Sequence, residues 1–269
     1  MNPTDPVSSQ PAALNAPSAF LSIEDVLVQL DAIIETARRR GTTDGYFAAL
    51  YRRVTAEVKA GIARGDFEDG PRMARFDIIF ASRYVNAWQQ QERGEKPSAS
   101  WGVAFSGSRS YWPVVMQHLM VGMNAHINLD LGIAASEVAP GPAIAGLKND
   151  FDTINRILGG LIDDVQNRLS QIWPGMRVLD AMGGGFDEEL ANFSIGKARA
   201  ASWLMATTLA AESDVTRRAA YVRQIDGLMS VLGRGILNPG LRASGTLAVV
   251  RLRERGSVTE KIDILLKQN

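Results

Sequence analysis

The stretch Tyr111–Gly132, YWPVVMQHLMVGMNAHINLDLG, decides the fold of this chain. It is apolar enough to predict a buried helix, and both histidines of the protein, His118 and His126, fall inside it. Asn124 and Asp130 lie close to the second histidine, and such polar groups are costly to bury without partners. This conflict between burial and polarity is the strongest indication of a functional site in the sequence.

The composition is that of an ordinary globular protein and excludes several classes of function. The chain has 269 residues, of which 46% are hydrophobic and 22% are charged, enough to bury a substantial core. Lys+Arg and Asp+Glu number 29 each, so no overall positive charge favours nucleic acid as a partner. The chain has no cysteine, which excludes disulfides, thiolate nucleophiles and Cys-metal sites.

The first twenty residues differ in composition from the rest of the chain. They are rich in Pro, Ser, Ala and Asn and lack Lys and Arg, so they do not resemble a secretory signal. We expect residues 1–20 to be a disordered tail and residues 21–269 to form a single helical domain. No segment has about 18 uninterrupted apolar residues, so we expect no transmembrane helix and a cytoplasmic location.

The apolar residues recur at helical spacing along most of the chain. Ser22, Asp44 and Pro71 open the first three predicted helices, and Gly41 and Gly65 end the first two. Residues 92–110 are predicted to be a polar link, and Thr246–Leu252 has some strand character but no partner strand. The sequence therefore predicts an all-α bundle of about eight helices around the central apolar helix. Its later helices are predicted at Leu147–Ile172, Asp187–Ala211, Asp214–Gly233 and beyond the capping box Ser257–Glu260.

His126 and Asp130 form the candidate site on the central helix. On a helix, His118 and His126 are separated by about 80° and about 12 Å, too far for one metal ion, so His118 is expected to be structural. Positions 126 and 130 are separated by only about 40° and about 6 Å, which places imidazole and carboxylate side by side. Three interpretations remain open: a structural hydrogen bond, two ligands of a divalent metal ion, or an acid–base pair in which the carboxylate orients the imidazole.

Asp77 is a second candidate, on the third predicted helix. It borders an apolar stripe that includes Phe76 and Phe80. A carboxylate in this position is commonly paired with an arginine, and Arg75 and Arg83 are near in sequence. Asp77 is therefore either a structural ion-pair residue or a carboxylate of the site.

The segment Gly122–Leu131, GMNAHINLDL, resembles the signature of an uncharacterised bacterial and fungal family, a domain of unknown function. The resemblance covers residues 25–235 and implies an all-helical domain in which the matching polar residues meet. It names no activity. Besides the central segment, the matching features are Arg75-Phe76-Asp77, Asp150-Phe151 with Asn155, and Arg199 with Trp203.

Two hypotheses of function follow. In the first, the protein is an enzyme acting on a small, largely apolar molecule, with His126 as general base or metal ligand and Asp130 orienting it. Asn124 and Asn128 would bind the substrate, and residues from facing helices would complete the pocket. In the second, the protein is a non-catalytic helical module that binds a ligand or partner, and its polar network fixes the helix register. The residues expected to complete the pocket are Asp77, Asn155, Arg199 and Trp203, the last two through the resemblance alone.

Overall fold

The computed structural model describes residues 20–154, 157, 172 and 195–267. All regular structure in these residues is helical, with no strand, which confirms the predicted all-α class. They contain ten α-helices rather than about eight. In this part of the chain, no helix is both long and apolar enough to cross a bilayer.

The helices are numbered in chain order. A π-helical turn, His126–Asp130, joins α5 to α6, and a 3-10 helix, Gly141–Leu147, follows α6. Residues 148–154 are also helical. The ten α-helices are α1 (Ile23–Arg40), α2 (Asp44–Arg64), α3 (Gly70–Glu92), α4 (Ala99–Gly107), α5 (Val115–Ala125), α6 (Leu131–Val138), α7 (Ile195–Ala211), α8 (Val215–Leu237), α9 (Leu241–Arg253) and α10 (Val258–Leu266).

The ends of the first helices are those that the sequence predicts. Ser22 accepts the backbone N–H of Asp25, whose side chain returns to the backbone N–H of Ser22, a complete capping box. Gly41 and Gly65 end α1 and α2 with φ of 65° and 77°, a left-handed conformation that glycine adopts without strain. These local signals confirm the predicted boundaries.

The central stretch forms one nearly continuous buried helix from Val115 to Val138, made of α5, the π turn and α6. Helices α2, α3, α4, α7 and α8 all pack against it. Because the helix is surrounded, its polar residues other than the exposed Glu137 lie mainly against other helices. This arrangement confirms the prediction of a bundle around a central apolar helix.

One segment differs from the prediction, and the segment with some strand character is helical. Residues 99–107, expected to be part of a polar link, form α4, whose N-terminal N–H groups at Ala99 and Ser100 donate to Asp226 of α8. The strand-like segment Thr246–Leu252 lies inside helix α9. There Leu247 and Val250, three residues apart, are buried together against Val114, so tertiary packing outweighs the β propensity of valine.

Some predicted segments lie outside the described residues. These are nearly all of the expected tail, most of the expected helix Leu147–Ile172, and the start of the next predicted helix at Asp187.

Gly122 sets how closely the central helix approaches α2. A Cβ added at this glycine would lie 2.5 Å from Cδ2 and 2.7 Å from Cγ of Phe47. We expect Gly122→Ala to destabilise the protein by about 1–3 kcal/mol, because the Phe47 ring must leave its packed position. Urea unfolding measures the change. The same substitution at Gly102, where no atom lies within 4 Å of an added Cβ, is the control. Equal effects at both positions would contradict this assignment.

Candidate functional site

The π-helical turn places His126 and Asp130 in the centre of the bundle. The N–H of Leu131 donates to the carbonyl of His126, five residues back, so the α-helical hydrogen-bond register shifts at this turn. The hydroxyl of Ser202, on α7, donates to the carbonyl of Ile127 within the turn. Single π-helical turns inside α-helices occur frequently at functional sites. The irregularity therefore coincides with the two residues that the sequence singles out.

Asp130 is the centre of a buried polar network. Its Oδ1 accepts the Nε–H of Arg83 at 3.1 Å, and its Oδ2 accepts the indole N–H of Trp101 at 2.8 Å. The Nδ1 of His126 lies 3.2 Å from the same Oδ2. Asp130 is only 2% exposed, so these partners replace its hydration. The carboxylate thus holds the imidazole in one orientation, with Nδ1 toward Asp130 and Nε2 away from it.

Aromatic rings enclose the imidazole of His126. Phe80 stacks on it with a centroid distance of 3.7 Å and an interplanar angle of 10°, and the Tyr51 ring meets it edge-on at 4.4 Å. Burial lowers the pKa of His126, and the hydrogen bond to Asp130 offsets only part of this shift. The imidazole is therefore neutral at neutral pH, and Nε2 is a hydrogen-bond acceptor when Nδ1 carries the proton.

Four buried polar atoms of this region lack hydrogen-bond partners among the described residues. Three are the Nε2 of His126, the hydroxyl of Tyr51 and the Oδ2 of Asp77. The fourth is the hydroxyl of Thr55, one turn after Tyr51 on α2. Buried polar atoms without partners are uncommon in folded proteins, and each costs about 1–3 kcal/mol. Three of the four atoms belong to α2 and α3, the helices that supply Tyr51 and Phe80 to the surroundings of His126.

Of the two interpretations of Asp77, the ion pair with Arg75 or Arg83 does not form in the described part of the chain. Arg83 extends to Asp130 and Glu137 instead, and Arg75 is exposed. Asp77 is 6% exposed, and burial raises its pKa to about 7. The carboxyl group is thus available as a partly protonated acid within the apolar interior.

Asn124 and Asn128 have partners of their own. The Asn124 amide donates to the carbonyl of Met229 on α8 at 2.8 Å, and the Asn128 amide donates to Oδ1 of Asn124 at 3.1 Å. Asn124 is completely buried. These contacts tie the central helix to α8, and a substrate-binding role for the two asparagines remains a prediction.

Arg199 and Trp203 lie beside Phe151 in another part of the core. The Arg199 guanidinium donates to the carbonyl of Phe151 at 2.6 Å and covers its ring at 4.4 Å, and the Trp203 ring lies 5.0 Å from that ring. Burial lowers the pKa of Arg199 to about 10. The structure does not place these two residues around His126. Asn155, the remaining predicted pocket residue, lies outside the described residues.

The metal interpretation has little support in the geometry of the pair. The atoms of His126 and Asp130 that would converge on a metal are hydrogen-bonded to each other, and both Asp130 oxygens already accept other donors. In residues 20–154, 157, 172 and 195–267, no group of three or more His, Asp or Glu side chains could hold a metal ion. A divalent metal at this pair stays a prediction.

Three contributors to the site do not stand out in the sequence. Trp101 is in a segment without helical periodicity, and Tyr51 follows the apolar stripe of α2 like any core residue. Arg83 is close to Asp77 in sequence, which suggests Asp77 as its partner, whereas in the structure it pairs with Asp130. The usable signal is the buried carboxylate Asp130, because a buried charge needs a cation or several donors.

Comparison with known proteins identifies the family but no activity. The model of a family described as "Family of unknown function (DUF5995)" matches residues 23–239. No curated protein and no solved structure matches the chain. The match covers most of the chain, including every described residue of the site. The chain therefore belongs to this family of unknown function, as its resemblance to an uncharacterised all-helical family predicts.

Proposed function

We propose that the protein acts on a small, largely apolar molecule by acid–base chemistry at Nε2 of His126. One observation carries the proposal: Nδ1 is held by Asp130, while Nε2 is buried and lacks a partner among the described residues. A neutral imidazole oriented by a carboxylate is the usual arrangement of a general base. Asp130 is then a positioning residue, itself held by Arg83 and Trp101.

The surroundings of Nε2 support an apolar molecule as the ligand. Phe80 and Tyr51 contact the imidazole, and Phe47, Tyr84 and Trp101 lie within 6.2 Å of it, centroid to centroid. Aromatic walls with a few fixed polar atoms are typical of small-molecule sites. A cytoplasmic location remains part of this proposal and rests on the sequence alone.

The proposal is tested with 2-naphthol, an aromatic probe whose hydroxyl can donate to Nε2. We expect binding to wild-type protein and a change in the ¹⁵N resonance of the His126 Nε2. His126→Gln should weaken binding about 5- to 50-fold, because the glutamine oxygen is a weaker acceptor than the imidazole nitrogen and Asp130 no longer orients it in the same way. His118→Gln, at the other buried histidine, is the control and should leave the affinity nearly unchanged. The proposal is contradicted if 2-naphthol does not bind to the wild-type protein, or if it binds to His126→Gln with the same affinity as to wild type.

A non-catalytic role is the second candidate, and the bond from Asn124 to Met229 favours it. That bond, with the three donors on Asp130, fixes the register of the central helix against its neighbours. In this case His126→Gln lowers the free energy of unfolding by about 1–3 kcal/mol without any effect on ligands. The 2-naphthol titration therefore separates the two candidates.

A further inference from the structure

We propose that Tyr51 and Asp77 form a pair of hydrogen-bond donors that binds an oxygen atom of the ligand beside His126. The inference deepens the proposed function and rests on it, because it names the class of molecule that the site takes. That class is a largely apolar compound carrying an acceptor oxygen, such as a carbonyl, ether or hydroxyl group.

The first support is the location of the two side chains. Tyr51 projects from α2 and Asp77 from α3, and Tyr51 lies edge-on to the His126 ring at 4.4 Å. Asp77 precedes Phe80 by one helical turn, and Phe80 stacks on the same imidazole at 3.7 Å. Burial raises the pKa of Tyr51 well above its usual value, and the nearby Asp77 carboxyl raises it further. Tyr51 and Asp77 are thus electrostatic neighbours, and Tyr51 contacts the base directly.

The second support is that both groups are buried and unmatched in the described chain. Tyr51 is 3% and Asp77 is 6% exposed, yet neither the phenol oxygen nor Oδ2 of Asp77 has a hydrogen-bond partner there. The nearby Thr55 hydroxyl lowers the pKa of the Tyr51 phenol, but the opposing effect of burial is larger. Neither the Tyr51 hydroxyl nor the Thr55 hydroxyl forms a hydrogen bond of normal geometry. A structural network would pair such atoms with one another or with the backbone, as Asn124 and Asp130 are paired.

The third support is the protonation state that each group adopts. The phenol keeps its proton at all physiological pH values, because burial disfavours the phenolate. Burial also raises the pKa of Asp77 to about 7, so a substantial fraction of this carboxyl group carries a proton at neutral pH. A phenol and a carboxylic acid in an apolar site both donate, and two donors match the two lone pairs of one ligand oxygen.

The test compares 2-methoxynaphthalene with 2-ethylnaphthalene, which have nearly the same shape but differ by an oxygen in place of a methylene group. We expect the wild-type protein at pH 6 to bind the methoxy compound about 5- to 100-fold more tightly. Tyr51→Phe and Asp77→Leu should each abolish most of this preference. Asp77→Asn should retain it, because the amide still donates. Tyr46→Phe makes the same chemical change elsewhere on α2 and should leave the preference unaltered.

The results that contradict the donor pair can be distinguished from those that contradict the proposed function. If 2-naphthol binds through His126 but the methoxy and ethyl compounds bind equally, the proposed donor pair is wrong, whereas the proposed role of His126 as a base is retained. Retention of the full preference in Tyr51→Phe and Asp77→Leu also overturns the inference. If none of the naphthalenes binds, both proposals fail together. Circular dichroism establishes that each variant is folded, and Tyr51→Phe supplies the decisive comparison should Asp77→Leu be unfolded.

Discussion

Asp130→Ala is expected to destabilise the protein by about 3–5 kcal/mol, a large effect for a single substitution. The substitution removes the acceptor for Arg83, Trp101 and His126 at once. The donors of Trp101 and His126 remain in the interior without this partner, and the guanidinium of Arg83, which also pairs with Glu137, loses its closest counter-charge. Urea unfolding monitored by tryptophan fluorescence measures the loss.

The control for this prediction is another ion pair of the same chemical type. Asp31 pairs with Arg52, but its side chain is 51% exposed, so Asp31→Ala should change stability by only about 0–1 kcal/mol. Asp130→Asn is a second informative variant. Its amide keeps the shape of the carboxylate and one acceptor oxygen, but its N–H₂ group faces donors that the carboxylate accepts in the wild-type protein. An Asp130→Ala effect no larger than that of Asp31→Ala would mean that the network does not hold the core together.

Asp77→Asn is expected to remove a loss of about 2–4 kcal/mol in the free energy of unfolding that the wild-type protein shows as the pH rises. Burial raises the pKa of Asp77 from 3.8 to about 7 in the folded protein, and each unit corresponds to 1.36 kcal/mol. Between these two pH values the folded state binds more protons than the unfolded state. The wild-type protein therefore loses stability as the pH rises from about 4 to about 7, and the penalty is complete above the folded pKa.

The variant lacks this titration, so the difference between the two proteins isolates it. We expect Asp77→Asn to gain stability relative to wild type from pH 4 to pH 8, measured as urea midpoints at each pH. Burial also lowers the pKa values of His118 and His126, but both proteins contain these histidines and their contributions cancel in the difference. Asp31→Asn, at an exposed carboxylate, is the control. Parallel curves for wild type and Asp77→Asn would show that Asp77 has an ordinary pKa.

These two carboxylates illustrate two uses of a buried acid in one core. Asp130 is surrounded by donors and serves as an anchor. Asp77 has no partner for its Oδ2 in the described residues and retains a titratable proton. Only an unsatisfied group can form a new hydrogen bond with a ligand without breaking an old one. The proposed site therefore adds Tyr51, which the sequence does not single out, to the predicted residues His126 and Asp77.

Local signals were sufficient for much of the helical architecture. Helix periodicity, the capping box at Ser22 and the glycines after α1 and α2 are determined by residues close in sequence. The side-by-side arrangement of His126 and Asp130 also follows from a spacing of four on a helix. The sequence by itself thus determined the all-α class, most boundaries of α1 to α3, and the central pair.

Only the tertiary structure decided what surrounds that pair. Helix α4 has no apolar period of its own, and it brings Trp101 to Asp130 with its N-terminus anchored by Asp226 of α8. The choice of Asp130 rather than Asp77 as the partner of Arg83 is likewise made by contacts between helices far apart in sequence. The physical reason is that helix propensity acts within a few residues, whereas the hydrogen-bond partner of a buried charge depends on which helices pack together.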